Sequence, residues 1–95
     1  MSKDSVVAYH VILSGRVQGV GFRYSTRQVA VRLGVCGWVR NTPDGSVELV
    51  CEGSKDRIER LLKWLKSGPP GSYVTNIDKR QISAQRAFHS FTVEV

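Results

Sequence analysis

The chain has 95 residues, 41% of them apolar and 23% charged, with a formal net charge of +6. A chain of this length supports one domain, residues 1–95, around one hydrophobic core, with too little left over for a second lobe. No apolar run approaches the roughly 20 residues of a membrane-spanning helix, and Met1-Ser2-Lys3-Asp4-Ser5 lacks the apolar segment of an export signal, so a cytoplasmic protein with no membrane partner is expected.

Taken in chain order, alternation puts Val7, Tyr9, Val11 and Leu13 on one face of a strand over residues 6–14. A glycine-rich stretch follows, Gly15-Arg16-Val17-Gln18-Gly19-Val20-Gly21. Phe22, Thr26, Val29, Ala30 and Leu33 then recur at helical spacing, and Gly34 suits the end of that helix. Residues 36–42 and 46–52 form a hairpin across Pro43-Asp44-Gly45, a type I turn closed by a left-handed glycine. With that turn Thr42 opposes Ser46 and Arg40 opposes Glu48. Val39, Asn41, Val47, Leu49 and Cys51 then share one face, and Trp38, Arg40, Glu48, Val50 and Glu52 the other.

Ser54 is placed to cap a second helix, with Asp56 in its first turn and Ile58, Leu61, Leu62 and Leu65 as its apolar stripe. Ser67-Gly68-Pro69-Pro70-Gly71 ends it. Strands are expected over residues 73–82 and 88–95. Strand, helix, strand, strand, helix, strand is the split βαβ order. It predicts an α+β, ferredoxin-like sandwich: an antiparallel sheet of four to five strands with both helices on one face.

The glycine-rich stretch joins a strand to a helix, which aims free backbone N–H groups, and the positive end of the helix dipole, at an anion. Glycines in such turns also serve packing alone. Arg23 falls in the first helical turn, where the dipole disfavours a cation; a bound phosphate forked by its guanidinium would resolve that conflict. The loop lacks the Gly-Lys-Ser/Thr ending of a nucleotide-binding P-loop and does not match Gly-x-Gly-x-x-Gly. Val17 stands six residues before Arg23, where a cysteine-dependent phosphatase carries its nucleophile, so water is left as the attacking group. A right-handed crossover makes the strands before and after the first helix parallel, so their ends lie on the same edge of the sheet. That edge carries the loop and Asn41. An Asn41 amide oxygen can hold a water by hydrogen bonding; Asn ahead of Pro-Asp-Gly is equally a turn former.

Leu13-Ser14-Gly15-Arg16-Val17-Gln18-Gly19-Val20-Gly21-Phe22-Arg23 resembles the signature loop of the acylphosphatases. Gly37-Trp38-Val39-Arg40-Asn41, continuing through Gly45, Val47 and Gly53, resembles their second signature. The resemblance covers nearly the whole chain. It implies hydrolysis of an acyl phosphate to a carboxylate and inorganic phosphate, with no phosphoenzyme. By the same resemblance, Arg23 binds the substrate phosphate and Asn41 orients the attacking water. The phosphate-binding loop spans Gly15, Arg16, Val17, Gln18, Gly19, Val20, Gly21 and Phe22.

No cofactor and no metal are expected. Cys36 and Cys51 form no Cys-x-x-Cys pair, and His10 and His89 lie far from them in sequence. The proposed register puts the two cysteines on opposite faces of the sheet, so free thiols are expected. His10, His89, Trp38 and Trp64 read as structural or surface residues, and the side chains of Arg16 and Gln18 as pointing outward from the loop. The alternative is a non-catalytic anion or nucleic-acid binding module of the same fold. The basic residues are dispersed, and the open sheet face has Trp38 as its one strong aromatic. No nucleic-acid partner is therefore expected, and a monomer is.

Overall fold

The structure is a computed structural model and describes residues 5–95. The reading of Met1–Asp4 as lacking an export signal therefore lies outside the described residues. Strand β1 (Val6–Arg16) leads into helix α1 (Phe22–Leu33), followed by β2 (Cys36–Asn41), β3 (Val47–Ser54), α2 (Lys55–Ser67), β4 (Tyr73–Ile82) and β5 (Phe91–Val93). The sheet order is β4-β1-β3-β2-β5. No described helix is long and apolar enough to cross a membrane.

The pairings β1–β3, β1–β4 and β2–β3 are antiparallel, as the split βαβ order requires. The short β5 adds to β2 in parallel, which makes the sheet mixed. The β2–β3 register is the one that the turn dictates: Arg40 faces Glu48 and Asn41 faces Val47. The turn is closed by Gly45 N–H donating to the Thr42 carbonyl, at 3.2 Å, and Thr42 N–H donating to the Ser46 carbonyl, at 2.9 Å.

One face of the sheet is covered by both helices. Val11, Leu13, Val39, Val47, Leu49 and Cys51 are buried there against Phe22, Ala30, Ile58, Leu61 and Leu65. These side chains come from strand positions of period two and helix positions of period near 3.6, so two periodicities converge on one core. Phe22 and Trp64 meet with ring centroids 5.9 Å apart, joining the start of α1 to α2. Gly34 ends α1 in the left-handed conformation and donates to Ala30 and Val31 carbonyls. Ser54 is the N-cap residue of α2, but its side chain makes no capping hydrogen bond; it also ends β3, which holds it in extended geometry.

The other face is less open than the alternation implies. Val50 and Glu52 are buried at its centre. Glu52 accepts hydrogen bonds from the backbone N–H groups of Gln85 and Arg86, both at 2.7 Å, and so ties down the crossover between β4 and β5. Further along the same face, Glu48 accepts from Arg40 Nε at 2.7 Å and pairs with His10 Nε2 at 2.6 Å. Cys36 and Cys51 stand on opposite faces of the sheet, and both are free thiols. Burial pushes the Cys51 thiol up to about 12, which leaves it protonated and inert at neutral pH.

Candidate active site

The β1–α1 loop curls through two left-handed glycines. Gly19 and Gly21 have φ of 77° and 73° with open space where a side chain would stand. At both positions it is the positive φ, not lack of room, that favours glycine. Gly21 is also the N-cap of α1, with no side-chain cap and no acidic residue in the first turn. The first intrahelical bond runs from Ser25 N–H to the Gly21 carbonyl, at 3.0 Å, so the amides of Phe22, Arg23 and Tyr24 have no partner within the helix. The loop and helix start thus present uncapped donors in a positive dipole field.

A cavity of about 140 Å³ opens at this point, lined by Val17, Gly19, Gly21, Phe22, Arg23, Tyr24 and Asn41. Arg23 and Asn41, far apart in sequence, therefore share one cavity. The topology explains why: β1 and β2 both run antiparallel to β3 between them, so β1, which feeds the loop, and β2, which ends at Asn41, finish on the same edge. No Ser, Thr, Cys, His, Asp or Glu is among the lining residues. Among the described residues, Asn41 has no side-chain hydrogen bond to another protein group, which leaves its amide available.

The other loop positions divide into separate tasks. Val17 is fully buried and anchors the loop in the core. Val20 packs partly against that core. Gly15 belongs to the close approach of β1 and β4: its φ is 120°, and a Cβ there would overlap the Tyr73 carbonyl. Arg16 is exposed and pairs with Tyr73 in the sheet. Gln18 departs from the outward orientation expected of it. Its Nε2 donates to the Thr42 and Ser46 carbonyls, each at 2.8 Å, and so braces the loop against the β2–β3 turn next to Asn41.

Arg23 is half-buried. Its guanidinium donates to the backbone carbonyl of Glu94 at 2.9 Å, and Glu94 N–H in turn donates to the Val39 carbonyl at 2.8 Å. The segment after β5 thereby orients the cation. No side-chain pattern reveals this contact, because the acceptor is a backbone atom that any residue carries. A larger, shallower hollow of about 270 Å³ is lined by Trp38, Arg40, Glu94 and Val95 and contains no residue of the glycine loop. Arg40 there is already paired with Glu48 and sits over the Trp38 ring. Among the described residues, no group of three or more His, Cys, Asp or Glu is arranged to hold a metal ion.

An α+β sandwich with a glycine-loop cavity at one sheet edge is the class that fold and site define. Comparison with known proteins narrows it. The acylphosphatase family model matches residues 9–93. An acylphosphatase of Acaryochloris marina (strain MBIC 11017) is 44% identical over 86 residues, covering 88% of this chain and 92% of its own length. An acylphosphatase of Methylococcus capsulatus is 48% identical over 84 residues, covering 88% and 91%. The solved structure of an acylphosphatase from Coxiella burnetii superposes with a TM-score of 0.90 at 42% identity, covering 94% of this chain and 93% of that one. The chain belongs to the acylphosphatase family.

Proposed function

We propose that the chain hydrolyses the carboxyl–phosphate bond of an acyl phosphate by direct attack of water, with Arg23 holding the phosphoryl group and Asn41 orienting the water. The observation that carries this is the shared cavity: uncapped loop and helix amides, a half-buried guanidinium and an uncommitted amide side chain line one small space. The family relationship supports the same activity and does not favour a non-catalytic anion or nucleic-acid binding module.

The chemistry needs little covalent help from the protein. The loop amides and Arg23 neutralise charge on the non-bridging phosphoryl oxygens, each charge-assisted hydrogen bond contributing about 1.5–3 kcal/mol. Asn41 accepts a hydrogen bond from the water and points its lone pair at phosphorus. The new phosphorus–oxygen bond forms as the bond to the acyl oxygen breaks. The carboxylate leaves with the electron pair, and the proton of the water passes to a phosphate oxygen. A carboxylate is a good leaving group, so no general acid is required. The cavity lining offers no Cys, Ser, His or acidic nucleophile for a phosphoenzyme. No cofactor enters this scheme. We take the enzyme to act as a monomer on a small-molecule substrate, without nucleic acid. Its two free thiols suit a reducing compartment, which for this reading is the cytoplasm.

The test is release of inorganic phosphate from an aryl acyl phosphate in water enriched in heavy oxygen, with a strong chelator present. Full turnover is expected, with the heavy oxygen found in phosphate. Label in the carboxylate would mean attack at carbon, and loss of turnover restored by a divalent cation would remove the metal-free scheme.

A further inference from the structure

We propose that Tyr24 forms the acyl-group wall of the site and makes the enzyme selective for acyl phosphates whose acyl group is aromatic or extended and apolar. The inference rests on the reading above that the cavity holds the phosphoryl group.

The cavity, about 140 Å³, is well below the roughly 300–1,000 Å³ of pockets that enclose a whole drug-sized ligand. It has space for the phosphoryl group and the reacting carbonyl. The remainder of the acyl group leaves through the mouth, and what stands at the mouth decides which remainder is welcome. Tyr24 lines the cavity yet is 62% exposed. An isolated exposed aromatic is ordinary on a protein surface; this one is distinguished by its position. Its ring centroid lies 5.8 Å from the Arg23 guanidinium carbon, so a group held by that guanidinium is brought beside the ring.

The other lining residues offer no equivalent surface. Val17 and Phe22 are turned into the core, with 0% and 1% exposure. Gly19 and Gly21 have no side chain, and Asn41 and Arg23 are polar. Among the lining residues, Tyr24 alone presents exposed apolar area to a group emerging from the cavity. An aromatic acyl group can stack on or edge against its ring, whereas an acetyl group is too short to cover it.

The experiment compares kcat/KM for benzoyl phosphate and acetyl phosphate in the wild type, Tyr24→Ala and Tyr24→Phe, following released phosphate. The two substrates differ in intrinsic reactivity, but that difference cancels between variants. The benzoyl-to-acetyl ratio is expected to fall by about two- to tenfold in Tyr24→Ala, the loss expected for one aromatic contact. The change should lie mainly in KM for benzoyl phosphate, and Tyr24→Phe should keep the wild-type ratio. An unchanged ratio in Tyr24→Ala, or an equal loss on both substrates, overturns the proposal. A wild type that hydrolyses neither substrate overturns the proposed activity itself, and is read before any variant is made.

Discussion

The β4–β5 crossover and the start of α1 both present consecutive backbone N–H groups beside a left-handed residue, and they differ in what closes them. At the β4–β5 crossover, the N–H groups of Gln85 and Arg86 converge on the Glu52 carboxylate. Arg86, with φ of 55°, is the one described non-glycine residue of positive φ. That concavity is an anion site filled from within. At the start of α1, the donors follow left-handed Gly21, the first turn has no acidic residue, and no side chain caps them. A cation, Arg23, stands there against the helix dipole. The filled nest ties down the crossover; the unfilled one, with its own cation, is the place where the proposed function puts the phosphoryl group. Convergent amides alone do not separate structure from function; under the proposed function, the internal carboxylate is what distinguishes the two.

The contrast breaks most easily at the open nest. Arg23→Ala should abolish most activity and weaken competitive inhibition by inorganic phosphate at least about tenfold, the effect of losing one charge-assisted hydrogen bond. Asn41→Ala should separate binding from chemistry. Phosphate inhibition should stay near the wild-type value, because the loop amides and Arg23 remain, while kcat falls by about two or more orders of magnitude. A turn-forming role would instead lower stability by about 1 kcal/mol and spare kcat. Steady-state kinetics, phosphate inhibition and urea unfolding on the two variants decide between these outcomes.

The filled nest should respond in the opposite way. Glu52→Ala deletes a buried acceptor and strands two backbone donors, so stability should fall by about 2–4 kcal/mol. Phosphate inhibition of the folded variant should be retained, since Glu52 lies on the sheet face away from the cavity. A variant with wild-type stability would show that the crossover does not depend on this carboxylate. Weakened phosphate inhibition at full folding would erase the distinction between the two nests.

Much of this architecture is written in side-chain periodicity. The stripe Phe22, Thr26, Ala30 and the stripe Ile58, Leu61, Leu65 announce the helices, and both are buried as read. Pro43-Asp44-Gly45 sets the β2–β3 register, and the right-handed crossover then brings Asn41 to the loop's edge of the sheet. What stayed hidden depends on backbone atoms, which carry no residue identity. Glu94 contributes a carbonyl to Arg23, Gln18 finds its partners in the Thr42 and Ser46 carbonyls, and Glu52 meets two amides more than 30 positions away. The parallel seat of β5 was hidden for a related reason: Phe91–Val93 is too short for alternation to specify which strand it joins. Tyr24 was visible in the sequence, but exposure at a cavity rim has no periodic signature.

The smallest expected effect lies on the sheet face opposite the cavity and sharpens the same division. Glu48 is held below the ordinary glutamate value of 4.5, chiefly by its hydrogen bond with His10 and also by the Arg40 hydrogen bond and charge, against an opposing contribution from burial. A carboxylate whose pKa is lower in the folded than in the unfolded chain stabilises the fold above the unfolded value. That contribution disappears as pH falls through the folded value. The wild type should therefore lose stability from around pH 4.5 downward, in part through Glu48. Glu48→Gln carries no proton to bind. It should be less stable than the wild type at neutral pH, have a flatter acid limb, and converge on the wild type once Glu48 is protonated. Because Glu48 is partly exposed, at 15% of its side-chain surface, the gap should be modest and should narrow with added salt. Urea midpoints measured from pH 7 to pH 2.5 on both proteins give the comparison. If the two curves run parallel throughout that range, Glu48 is not the group whose protonation loosens this face.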